Sequence, residues 1–290
     1  MTKKNIQTPK YVDKIKVKRS KLLEKKKKNI YSIPFEEITT IFIVDVEGRG
    51  DINNGKNTFG YERGEVIYDP QKKEILYAHS NIDLDLYNNA VLMDDAFFGN
   101  KRSIYDKILN PHTKEDDLLP KYYEYRHHFS ANRKNETLES FNETLTLYKP
   151  SFMFAYNCRY DFNTIFNDFA ISETSNRRFT KLDFVCIADN FLLMLKRIPQ
   201  ERDKYIQFAK ENDFTTPSGR ASYKAEYVIR YIRHCLSYRE EHMGLFDALD
   251  ELEILLWINE TYKKYGMCFM VEVNNLTYVG INQLELLAIR

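Results

Sequence analysis

Residues 41–47 constrain the fold more than any other stretch. Ile41, Phe42, Ile43 and Val44 lead directly into two carboxylates, Asp45 and Glu47. An uninterrupted β-branched and aromatic run of this kind predicts a strand buried on both faces. Alternate residues of a strand point to the same side, so Asp45 and Glu47 share a face. Two carboxylates side by side at the end of a buried strand repel, and keeping both ionised is costly without a cation between them. A hard divalent metal with oxygen ligands, at the edge of a sheet, meets that requirement.

The chain has 290 residues, 43% of them hydrophobic, enough for one sizeable core. Its formal net charge of +1 hides an asymmetry. Residues 1–30 carry twelve Lys/Arg against Asp13 and Glu24, a net +10, so the remainder carries −9. Residues 1–33 are therefore read as a basic, flexible arm, either a solubilising tail or a segment that binds phosphates. Cys158, Cys186, Cys235 and Cys268 form no CxxC pair and match no zinc spacing. They read as reduced, mostly buried thiols of a cytoplasmic protein. No apolar run approaches the ~20 residues of a membrane-spanning helix, and Lys3 and Lys4 open no secretory signal.

After the first strand comes a turn-rich loop over 48–55, and then Tyr61–Tyr68 and Glu74–His79 read as a hairpin, which gives an antiparallel meander. Residues 81–130 have no legible pattern. Their scattered aspartates read as solvated surface, and the cluster at 122–128 as either half-buried surface or a base-stacking platform. A helix over 135–147, a strand over 151–156 and a helix over 162–169 follow, then a short strand at 183–187. A helical stretch over 188–214 is broken at Pro199, and a further helix covers 223–232. The last long helix opens near 240 and runs to about Tyr265. Residues 271–290 form a C-terminal extension with no assigned structure. The order predicts an α/β fold in which a mixed sheet, antiparallel meander plus parallel strands, is flanked by helices.

Three acidic motifs follow one another: Asp45-Val-Glu47 on a strand, Asn157-x-x-x-Asp161 at a strand-to-helix junction, and His242-x-x-x-x-Asp247 at the start of a long helix. At about 100° per residue, His242 and Asp247 would stand about 140° apart on one continuous helix. They converge only if His242 lies in the loop or first turn before the helix proper, which Gly244 permits. Each motif taken singly has a plainer explanation. Asp45 and Glu47 could face solvent, Asp161 could be a helix N-cap, and His242 could be an ordinary loop histidine. Glu240 and Glu241 read as solvated charges at the helix entry.

Taken together, the motifs resemble those of the DEDDh branch of the 3′–5′ exonuclease superfamily, which has a ribonuclease-H-like fold. The matching segments are Phe42-Ile-Val-Asp-Val-Glu47, Ala155-Tyr-Asn-Cys-Arg-Tyr-Asp-Phe162 and His242-Met-Gly-Leu-Phe-Asp-Ala248. The stretches 205–220 and 224–232 look like phage-encoded members, and the resemblance spans about Phe35 to Tyr265. It implies an exonuclease domain over 34–270 that hydrolyses phosphodiester bonds at 3′ ends with two Mg²⁺ or Mn²⁺ ions, about 3.5–4 Å apart. In that scheme Asp45 bridges the ions, Glu47 and Asp247 complete one, and Asp161 holds the second through water. His242 takes the proton from the attacking water. Asn157, Phe162 and Gly48 become candidate substrate contacts. The sequence departs from the pattern at Gly48, where Thr is common, and at Met243, where a small residue is usual. The first change touches how the terminal sugar is held, and the second brings bulk near His242.

Single-stranded DNA is the first substrate this resemblance suggests, in a replication or repair role in a bacterial or phage-infected cell. RNA trimming is the runner-up. A second class is a binding or assembly subunit that uses the nuclease fold, the basic arm and the Tyr/Phe surface. A strand-transfer enzyme of the same superfold is disfavoured by the His242–Asp247 motif.

Overall fold

The computed structural model describes residues 29–49, 59–83, 129–132, 134–171, 183–240 and 242–274. Among the described residues eight strands form one sheet: β1 (Asn29–Ile33), β2 (Ile41–Arg49), β3 (Phe59–Asp69), β4 (Glu74–Asp83), β5 (Phe129–Asn132), β6 (Phe152–Ala155), β7 (Asp183–Cys186) and β8 (Phe269–Asn274). Their spatial order is β1-β8-β7-β6-β2-β3-β4-β5. β2, β3 and β4 make the expected antiparallel meander. β6 runs parallel to β2, and β7 parallel to β6. The central order β4-β3-β2-β6-β7, with two antiparallel pairings and then two parallel ones, is the mixed ribonuclease-H-like arrangement read from the sequence.

Among the described residues six α-helices cover the sheet: α1 (Lys134–Tyr148), α2 (Cys158–Ile171), α3 (Ile187–Arg197), α4 (Pro199–Glu211), α5 (Ala225–Arg233) and α6 (Gly244–Lys264). The strict alternation of β2 divides the core in two. Ile41 and Ile43 face a layer built from α3 to α6, with Phe191, Tyr205, Val228 and Leu255. Phe42, Val44 and Val46 face α1 and α2, with Phe141, Phe162 and Ile165. The break at Pro199 is real: the proline starts α4, where its missing N–H and fixed φ suit the first helical turn.

Several expectations differ from the structure. β8 inserts between β7 and β1, pairing antiparallel with both. Strands thus lie on both sides of the expected boundaries: residues 29–33, assigned to the arm, form an edge strand, and residues 271–274, assigned to the extension, are interior. Val271 and Val273 are buried, which an isolated tail would not achieve. α2 starts four residues before the predicted 162, because Asn157 carbonyl already accepts from the Tyr160 and Asp161 N–H groups. Of the cysteines, Cys158 and Cys186 are buried, Cys235 is half-buried and Cys268 is exposed. The rest of the basic arm, the 50–55 part of the turn-rich loop, the aromatic cluster at 122–128 and residues 275–290 lie outside the described residues. Among the described residues no helix is long and apolar enough to cross a membrane.

Candidate active site

The predicted residues gather where β6 ends beside its parallel neighbour β2, which runs on past it. In α/β sheets, the crevice at the carboxyl ends of parallel strands is where ligands bind. β2 delivers Asp45 and Glu47 to the face covered by α6. α2, leaving β6, starts on the other face and brings Asp161 to the strand end. Asp161 Oδ1 accepts from the Val46 N–H at 3.3 Å, so it is tied to the residue between the two β2 carboxylates.

Asp161 is not an N-cap. It lies in the first turn of α2 and is 2% exposed. Burial pushes its carboxyl well above the usual range, against the pull of the Val46 N–H and its own N–H, while Glu47 adds to the rise. Its Oδ2 is buried and has no hydrogen-bond partner among the described residues. A buried carboxylate oxygen in that state costs about 1–3 kcal/mol or more, a cost that a bound cation would remove.

The third motif takes the form required for convergence. His242 precedes α6 and does not lie on it, and its backbone is left-handed, φ +54°. The left-handed turn before the helix is thus made at the histidine, not at Gly244. Gly244 serves a different purpose: a Cβ there would come 2.7 Å from the Gly64 nitrogen, and a Cβ on Gly64 would sit 2.0 Å from the Gly244 carbonyl carbon. Gly64 pairs directly with Asp45 across the β2–β3 ladder. Two glycines thus let the N-terminus of α6 rest on the sheet beside the first carboxylate. Met243 is 4% exposed and points into the core, so its bulk is taken up there, not beside the histidine.

Glu47, His242 and Asp247 come together, each offering a ligand atom within 4.8 Å of the others. Asp45 and Asp161 lie outside that trio, although Glu47 and Asp161 feel each other's charge. His242 Nδ1 is 3.8 Å from Glu240 Oε2, so Glu240 is more than a solvated helix-entry charge. Asp247, 5% exposed, lies in the first turn of α6, where the helix dipole favours a negative charge.

The candidate substrate contacts divide. Asn157 is exposed at the start of α2. Gly48 follows a break in the ladder: Glu47 pairs with Glu62 and Gly48 with Gly60, leaving Tyr61 as the extra residue of a bulge in β3. Phe162 is corrected to a core residue. It is 2% exposed and packs edge-on against Phe184 with centroids 4.5 Å apart, so its ring has no free face.

Two residues were missed. Glu62, opposite Glu47, accepts from the Gly244 N–H and the Ser80 hydroxyl, both at 3.0 Å. It caps α6, which has no side-chain cap of its own. Glu251 is 3% exposed and stands one turn beyond Asp247 on α6. A signal existed for Glu251, which the i,i+4 spacing puts on the face of Asp247; Glu62, followed by Arg63, Gly64 and Glu65, carries none in the sequence.

No family model matches the chain, and a search of curated proteins finds no similar sequence. Solved structures do show likeness. One is cell-death related nuclease 4 (CRN-4), at 14% identity and TM-score 0.48, covering 82% of this chain and 67% of that one. Another is the nuclease domain of 3′hExo, a DEDDh family member bound to rAMP, at 12% identity and TM-score 0.49, covering 82% of this chain and 98% of that one. A third is a 3′-exonuclease recognising the histone mRNA stem-loop, at 11% identity and TM-score 0.48, covering 93% and 77%. These neighbours are nucleases. At this level of similarity the likeness does not assign a family to the chain.

Proposed function

We propose that the chain is a metal-dependent 3′–5′ exonuclease. The observation that carries this reading is the convergence of Glu47, His242 and Asp247, from two distant segments, with ligand atoms within 4.8 Å. The residues present fit divalent cations: the donors are mainly hard oxygens, and Asp161 holds a buried, unpartnered oxygen at the same strand end. Asp45, Glu47, Asp161 and Asp247 would hold Mg²⁺ or Mn²⁺. Bound there, the ions would polarise the phosphoryl group and acidify water.

The chain's own residues supply the rest. His242 accepts the proton of the attacking water, a role suited to an imidazole. Glu240, whose Oε2 is 3.8 Å from His242 Nδ1, would stabilise the imidazolium that forms. Asn157 and Gly48 would border the terminal nucleotide. Gly48, without the threonine side chain common at this position, leaves only backbone to meet the sugar.

Single-stranded DNA is the substrate to test first, because 205–220 resembles phage-encoded members. That stretch packs into the helical layer, with Phe214 stacked on Tyr227 at 4.5 Å, and so supports the fold rather than the cleft. RNA is the alternative, distinguished by the 2′-OH. The test is digestion of 5′-labelled single-stranded DNA, double-stranded DNA and RNA with Mg²⁺ or Mn²⁺. A ladder shortening from the 3′ end, absent with EDTA and in Asp45→Asn, is expected. Retained binding without degradation of any polymer under either metal would leave a binding or assembly subunit instead.

A further inference from the structure

His242 keeps an unfavourable backbone. A left-handed φ of +54° on a residue with a Cβ costs free energy and persists only where its surroundings over-determine it. On its C-terminal side, Met243 is buried in the core and the Gly244 N–H donates to Glu62. The contacts on its N-terminal side converge on Tyr238, four residues earlier in the connection between α5 and α6. The Tyr238 hydroxyl donates to Asp250 Oδ2. The Arg233 guanidinium lies over its ring, 4.6 Å from the centroid, and Arg233 Nη2 donates to Asp250 Oδ1 at 2.7 Å. The Tyr238 carbonyl accepts from Arg230 Nε at 2.8 Å. Arg230 is 5% exposed and is itself paired with Glu226 on α5. Asp250 is 6% exposed and follows Asp247 by three residues on α6, so the two carboxylates share a side of that helix. The segment before His242 is thus tied to the helix that carries Asp247. The tie bears on the site's geometry: His242 and Asp247 offer ligand atoms within 4.8 Å of each other, although on one continuous helix they would stand about 140° apart.

We propose that Tyr238 is a positioning residue, whose hydroxyl on Asp250 holds the backbone that presents His242 to the attacking water. The inference rests on the nuclease reading for the task of His242, but not for its placement. The role is indirect, so the effect of Tyr238 on turnover passes through the histidine. A tyrosine that merely stabilised the corner between α5 and α6 would act equally whether or not His242 is present. A positioning residue loses its effect once His242 is gone, which a double-mutant cycle reads directly.

The experiment compares Tyr238→Phe, His242→Ala and the double variant in the full chain, on the polymer that the wild type digests. Tyr238→Phe keeps the ring under Arg233 and removes only the hydroxyl. It is expected to lower kcat roughly 10–100-fold, as a small misplacement of a reacting group does, with KM within about twofold of wild type. In the His242→Ala background it should cost nothing further. Asp250→Ala removes the same contact from the α6 side and should reproduce the loss, whereas Asp250→Asn leaves an acceptor for the hydroxyl and should lose less. A second readout needs no activity. In the NMR spectrum of the histidine-labelled chain, the His242 ring resonance is the one absent from His242→Ala. It should shift or broaden in Tyr238→Phe while that of His79, on β4, stays in place. A kcat within about twofold of wild type, an equal loss in the His242→Ala background, or an unmoved His242 resonance would overturn the proposal. If Tyr238→Phe does not fold, Asp250→Ala carries the same cycle, and failure of both to fold would mark the contact as structural and overturn it. A wild-type chain that digests no polymer would sink the nuclease reading, and the His242 resonance alone would then decide the placement.

Discussion

At the scale of single residues, the site depends on what is missing at two positions. Gly64 and Gly244 bring β3 and α6 into backbone contact, and a Cβ on Gly64 would overlap Gly244 and Leu245 backbone at 2.0–2.3 Å. Backbone cannot rotate away as a side-chain tip can. Gly64→Ala is therefore expected to destabilise the fold by at least the ~1–3 kcal/mol typical of overpacking, and to lift the start of α6 with His242 and Asp247. Urea unfolding and the digestion assay check it. Activity and stability should fall together, whereas Asp45→Asn should lose activity alone.

At the scale of elements, the ends of α4, α5 and α6 are joined by one buried carboxylate. Glu201, 3% exposed, accepts from Lys204 at 2.9 Å, Lys264 at 3.0 Å, Tyr265 at 2.8 Å and Tyr231 at 3.4 Å. Burial alone would raise its pKa, but the two ammonium groups and the Tyr265 hydroxyl outweigh burial and hold it down to about 2. A depressed acid contributes stability above its unfolded pKa and loses it as pH falls through the folded value. The contribution here is on the order of 2–3 kcal/mol. Glu201→Gln should lower stability by about that much at pH 7. The gap from wild type should narrow from roughly pH 4.5 downward, as read by urea unfolding at a series of pH values. A gap independent of pH would refute the assignment.

The same scale shows how far the sequence could be read. The meander, β6 and the helices were legible because their apolar periods are local and their breaks fall at Pro199 and at the 215–219 loop. β8 was not, since a six-residue strand at the end of the pattern acquires its identity only from neighbours 80 or more residues earlier in the chain. At the site, the residue types and order of the three motifs were readable. Phe162 was misread because its place in a motif outweighed the ordinary fate of a phenylalanine on a helix's inner face. Glu62, followed by Arg63 and Glu65, and Glu251, next to Asp250 on its helix, look like surface charges until both sides of each element are seen to be covered.

At the scale of the whole molecule, the charge asymmetry is the feature that bears on the polymer. Twelve basic residues against two acidic ones in residues 1–30 precede a body of net −9. Each phosphate neutralised adds to the salt dependence of binding. Deleting residues 1–28 is expected to weaken affinity for single-stranded DNA and flatten its dependence on salt, while turnover at saturating substrate is kept. Fluorescence anisotropy across a salt series reads the slope, and an unchanged slope would count against the arm as a phosphate contact.

β1 lies at the edge of the sheet and its ladder partner is β8, pairing Asn29 with Val273 and Ile33 with Phe269. During synthesis the first of these strands leaves the ribosome long before the second exists. Asp45, Asp161, His242 and Asp247 have all been made by then, so the carboxylate cradle is complete in composition while the sheet beneath it is still open at β7. Loop closure over such a separation is among the slow steps of folding. The nascent chain thus passes through a stage in which a sheet edge is exposed. A pulse of protease during translation should find β1 cleavable until residues 269–274 have emerged.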